Sequence, residues 1–128
     1  MKLSDIREAA ETKYGDLPID LDDGESVRLQ NLLRMPKEQR KKLTAIQEKL
    51  DAVQGEDEEA KKAQLQEGED DTDAIVRLVR EAILLVADSK KAAEALLGEI
   101  GDDLPTLMEV FTEYGATSQP GEATPSGT

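Results

Sequence analysis

The chain has 128 residues, the length of one domain. Its 16 Lys and Arg stand against 29 Asp and Glu, a net charge of −13, so a nucleic-acid backbone repels it. Cysteine and histidine are both absent, which removes disulfides, thiol nucleophiles, thiolate or imidazole metal sites and every histidine-based triad. Tyr14, Phe111 and Tyr114 are the only aromatics, too few for a base-stacking platform. Leu, Ile, Val and Phe make up just over a fifth of the residues, enough for a lean core. The longest apolar run, residues 82–87, falls far short of the roughly 20 residues that span a bilayer. The opening residues lead straight into charged ones, without the pattern of a signal peptide. The expectation is a soluble cytoplasmic protein that is not an enzyme and needs no cofactor or metal.

Residues 4–14 read as a short helix, with Ser4 as N-cap, Gly15 as stop and Ile6, Ala10 and Tyr14 along one side. Residues 17–29 read as a β-hairpin, because apolar and polar residues alternate on both sides of Asp22-Asp23-Gly24. Parity decides the register. A two-residue turn at Asp23-Gly24 pairs Ile19 with Arg28 and puts the apolar sets on opposite faces. A three-residue loop, Asp22 through Gly24, pairs Ile19 with Val27 and Leu17 with Leu29. Only the second buries one face, with Gly24 at positive φ as a bulge residue.

Asn31 to Met35 is a connector, and Pro36 suits the first turn of a helix running to about Val53. Leu43, Ile46, Leu50 and Val53 give that helix a narrow apolar stripe. Its start is basic, with Arg34, Lys37, Arg40, Lys41 and Lys42 against Glu38. Such a patch is a solvated face, or a dock for an acidic partner or for the acidic segment that follows. Residues 55–73 hold nine acids, two lysines and one large apolar residue, Leu65. They read as a linker that can be shortened, with a transient helical turn around 57–66. Calcium is the temptation, but ligand spacing is missing there. At the hairpin, the slots of an EF-hand loop that should carry carboxylates hold Ile19 and Leu21.

The clearest helix is 74–87, capped by Asp73. Ile75, Leu78, Val79, Ala82, Ile83 and Val86 follow a 3.6-residue period, flanked by Val76 and Leu85. Leu84 falls opposite this stripe, beside Arg77 and Arg80. Ser89 caps a second helix, with Ala92, Ala93, Leu96, Leu97 and Ile100 inward and Gly101 as stop. Asp102 or Asp103 caps a third, with Pro105 in its first turn and Leu104, Leu107, Met108 and Phe111 inward. Residues 115–128 are rich in Gly, Pro, Ser and Thr and read as a disordered tail. The fold expected is mainly α, of the α+β type: a small helical cluster with one N-terminal β-hairpin, an acidic linker and a disordered C-terminal tail. The divisions are 1–54, 55–73, 74–114 and 115–128.

Several ordered strings look familiar together. They are Lys2-Leu3-Ser4-Asp5-Ile6-Arg7-Glu8-Ala9-Ala10, the hairpin ending in Asp22-Asp23-Gly24, and Met35-Pro36-Lys37-Glu38-Gln39-Arg40-Lys41-Lys42-Leu43. To these are added the segments 94–104, 107–111 and 119–126. The chain resembles the tail assembly chaperones of long-tailed phages of actinobacteria, over most of its length except the acidic segment. The resemblance implies a protein of the host cell cytoplasm, absent from the finished virion, that binds the tape measure protein, keeps it soluble and assists tail tube assembly. It also implies a longer product fused by programmed frameshifting, for which residues 115–128 would be the joint. Partners on this view are the tape measure protein, then the major tail tube protein and further copies of the chain, with no nucleic acid and no membrane. No catalytic residue is implied. The competing class is an acidic regulator or nucleic-acid mimic that binds a basic partner. Leu84 is the candidate anchor for a partner helix, in a groove shared with Leu107 or Phe111.

Overall fold

The computed structural model describes residues 2–118. Among them the chain forms α1 (Leu3–Tyr14), β1 (Leu17–Asp20), β2 (Ser26–Leu29), a 3-10 turn (Leu32–Arg34), α2 (Lys37–Gln54), α3 (Glu58–Gln64), α4 (Asp71–Val86), α5 (Lys90–Ile100) and α6 (Leu104–Ser118). The fold is the mainly helical one expected, with a single antiparallel hairpin near the N-terminus.

The centre is α4. Leu78, Val79, Ala82, Ile83 and Val86 are buried to within 2% of full burial, as their 3.6-residue spacing requires. Ala74 joins them at the start of the helix, while Ile75, Val76 and Leu85 are half-buried. The helix packs on α2, α5 and α6. From α2 it meets Leu43, Ile46, Leu50 and Val53, all buried as expected. From the C-terminal helices it meets Leu96, Leu97 and Leu107. Helix α4 begins at Asp71, three residues earlier than expected. The cap is Asp70, whose carboxylate accepts from the Asp73 amide at 2.9 Å, while Asp73 accepts from the Asp70 amide at 3.2 Å. Asp73 is therefore the far half of a capping box rather than the cap. Ser89 caps α5 as expected.

The hairpin has the register chosen by parity, with Ile19 opposite Val27 and Leu17 opposite Leu29. Gly24 takes φ +91°, a conformation costly for any residue with a Cβ. The outer edge of β2 is not left open. Gln30 N–H donates to Val86 O at 2.8 Å, and Asp88 N–H donates to Arg28 O at 2.8 Å. Leu29 faces Ala87 in an isolated bridge. The chain leaving α4 thus acts as a short third partner of the sheet, which protects an otherwise free edge.

Helix α1 starts at Leu3, before the expected Ser4 cap, with Asp5 accepting from the Lys2 amide at 3.4 Å. It has no buried residue, and Leu3 and Ile6 stand open. Arg34, first of the basic cluster, reaches back to Glu11 on α1, with Nη1–Oε2 at 2.9 Å.

Two segments differ from expectation. Residues 55–73 contain α3, capped by Asp57, and this helix packs against α2. Leu65 packs on the core, and Glu69 is bonded to Arg77 of α4. Local composition favours a solvated coil here, but one half-buried leucine and an ion pair to α4 attach the segment. The second difference is the end of the chain. Helix α6 continues through Gly115 to Ser118, four residues past the expected boundary, because Tyr114 is buried and bonded to the hairpin side. The rest of the expected tail, residues 119–128, lies outside the described residues.

Leu78→Ala should cost about 2–5 kcal/mol in chemical denaturation. A loss below about 1 kcal/mol would mean that α4 is not the central helix.

Candidate partner-docking surface

The outer face of α4 carries Arg77, Arg80, Glu81 and Leu84, spaced at i, i+3, i+4 and i+7. Both arginines flank Leu84, as the sequence suggests, and both have internal tasks. Arg77 donates from Nε to Glu69 Oε2 at 2.9 Å and from Nη2 to Glu69 Oε1 at 3.1 Å. Its Nη2 also donates to Gln64 O at 2.9 Å, closing the end of α3. Arg80 Nη1 donates to Gly101 O at 2.8 Å and Leu97 O at 3.3 Å. Those carbonyls end α5, where the backbone lacks helical partners and the macrodipole is negative. A guanidinium is well matched to both places, since it stays charged and donates in a fork.

Leu84 is 36% exposed, an open leucine on an otherwise half-buried helix. It stands between two shallow grooves. One, of about 540 Å³, runs between α2 and the C-terminal half of α4. Its floor is Ala45, Ile46, Leu84 and Leu85, and its edges carry Lys42, Lys49, Glu81 and Lys90. The other, of about 490 Å³, lies along the N-terminal half of α4 and includes Val76, Arg77, Arg80 and Asp102.

The other two expected anchors are placed differently. Leu107 is fully buried and sits in the core, so no partner can reach it without unfolding α6. Phe111 is half-buried with Leu29, Ala82, Ile83, Val110 and Tyr114, on the side of α4 that meets α6. Neither lines the grooves at Leu84. The physical reason is rotational. Leu84 lies opposite the buried stripe of α4, whereas α6 packs on that stripe. Sequence reasoning missed Ala45 and Lys49. Their signal is the i, i+3, i+4, i+7 set Lys42, Ala45, Ile46, Lys49, which is offset by a fraction of a turn from the core stripe.

The basic start of α2 does not hold the acidic segment. Glu69 goes to Arg77, and Asp71 pairs with Lys61 at 3.5 Å. Among the described residues, Lys37, Arg40, Lys41 and Lys42 form no ion pair. Also among the described residues, no group of three or more carboxylates is placed to hold a metal ion, and no helix is long and apolar enough to cross a membrane.

A family of mycobacteriophage tail assembly proteins matches residues 1–123, nearly the whole chain. The chain belongs to that family. Its role is therefore in the assembly of a phage tail. No curated protein and no solved structure matches the chain.

In this tail assembly protein the Arg77–Glu69 pair predicts that attachment of the acidic segment weakens in acid. The Arg77 hydrogen bond, helped by the Gln66 amide, holds the Glu69 carboxyl below its ordinary value of 4.5, and Glu69 in turn raises the Arg77 guanidinium. A carboxyl depressed by folding contributes fully above its ordinary pKa and loses that contribution as pH falls through the depressed value. Hydrogen exchange of the α3 amides should stay slow at neutral pH and quicken as pH drops below 4.5 once intrinsic rates are corrected. Glu69→Gln should show the faster exchange already at neutral pH. Unchanged protection in Glu69→Gln would show that the ion pair does not hold the segment.

Proposed function

We propose that this tail assembly protein is a non-catalytic chaperone of the tape measure protein. It holds an apolar helical stretch of that protein on the open face of α4 while the tail tube assembles. The observation that carries this reading is the groove at Leu84, an open apolar floor on the helix whose other face is the centre of the core. A bound helix needs such a floor, and the −13 charge keeps the complex in solution. The strings shared with tail assembly chaperones support the same role.

On this reading the protein works in the host cell cytoplasm and leaves before the virion is complete. A longer product made by programmed frameshifting would carry further residues beyond the end of the chain.

Leu84→Asp, coexpressed with the tape measure protein, should leave little of that protein in the soluble fraction. The melting temperature of the variant alone should move by no more than about 4 °C, since one exposed side chain changes. If Leu84→Asp melts the protein, Leu84 belongs to the core. If soluble tape measure protein is unchanged, this face is not its dock.

A further inference from the structure

The groove between α2 and α4 has a sign as well as a shape. Three lysines stand on its edges: Lys42 and Lys49 on α2, and Lys90 at the start of α5. All three are exposed, and none forms an ion pair among the described residues. Glu81 is the one acid on the edge, and it is shared with Arg77 at 3.4 Å. The rim is therefore cationic on a chain that carries −13 overall. A second, mainly basic surface continues it across α2, where Lys37, Arg40 and Lys41, with Glu48 as the one acid, adjoin the same Ala45. Ion pairs among the described residues engage only Arg28, Arg34, Lys61 and Arg77, so the cations of this face stay open to a partner.

We infer that the groove takes an amphipathic helix whose apolar stripe is bordered by Asp and Glu. This rests on the reading of the Leu84 face as the docking surface and adds the chemistry of its occupant. Lys42 and Lys49 are two turns apart, about 10 Å along α2, so the grip covers two to three turns of the bound helix. Apolar residues of that helix meet Ala45, Ile46, Leu84 and Leu85. Its flanking carboxylates meet the three lysines, whose flexible stems tolerate several spacings. A helix bordered by Lys or Arg is repelled, so the rim selects among the apolar helices of a long partner. A second copy of the chain fits poorly. The open stripe of its α1, at Leu3 and Ile6, is bordered by Arg7 and Lys13, and a two-fold pairing of the groove would set lysine against lysine.

The test uses two synthetic helical peptides, each about 18 residues long and with the same Leu stripe. One carries Glu on both borders and the other Lys. Binding is read by fluorescence anisotropy against the full chain. The Glu-bordered peptide should bind at least about tenfold more tightly, with affinity falling as salt rises. The triple variant Lys42→Glu, Lys49→Glu, Lys90→Glu should reverse the preference. Charge reversal of the exposed Lys2, Lys13 and Lys62 should leave it unchanged. Circular dichroism checks each fold; should the triple variant fail it, Lys49→Glu alone should weaken the Glu-bordered peptide severalfold. Equal binding of both peptides, no binding, or an unchanged preference in the triple variant overturns the inference. So does a dimer in sedimentation that Leu84→Asp converts to monomer, because the occupant is then a second copy. Failure here, with soluble tape measure protein still dependent on Leu84, removes only the charge rule. Independence of Leu84 removes the docking surface itself.

Discussion

The structure depends on the two-faced packing of α4. Its inner face is almost wholly apolar and closed by α2, α5 and α6. Burying five such side chains contributes on the order of 10 kcal/mol before ordering entropy is subtracted. In a chain with so few large apolar residues, the inner face of α2, with Leu43, Ile46, Leu50 and Val53, is the main surface that closes on it. The other elements are fitted to this one. The hairpin edge bonds to the chain leaving α4, the acidic segment is held by Arg77, and the end of α5 is held by Arg80. The outer face is thus a row of long-range fasteners, with Leu84 left over.

That arrangement explains how an acidic chain with a lean core orders its most acidic stretch. Nine acids within residues 55–73 repel one another, and composition alone argues for a solvated coil. The structure disperses them. Asp57 and Asp70 cap helices and Asp73 completes the capping box of α4, where the macrodipole is positive. Glu69 and Asp71 pair with Arg77 and Lys61. The segment forms a bridge from α2 to α4.

What the sequence showed plainly was periodic or turn-encoded. The α4 stripe, the α2 stripe, the Ser89 cap and the hairpin register were all legible, because each follows from local spacing. What was hidden depends on distant residues. Tyr114 is buried because its hydroxyl, from 84 residues away, donates to Gln30 O at 2.7 Å, and no local pattern signals that. The ion pair of Arg77 and Glu69 is hidden for the same reason. Leu84 was legible as the odd residue on its helix, and the structure places it on an open face beside both arginines. Its groove partners were not legible, since they come from α2 and α5 and depend on how the helices cross. Leu107 shows the converse error: an inward residue chosen as an anchor proved to be core.

On the proposed function the partner lies against the α2–α4 face and not against α6. A photo-crosslinking residue placed at position 84, and separately at the exposed position 109, tests this directly in coexpression with the tape measure protein. Position 84 should give a crosslinked adduct of the tape measure protein and position 109 none. An adduct from position 109 with none from position 84 would contradict that placement.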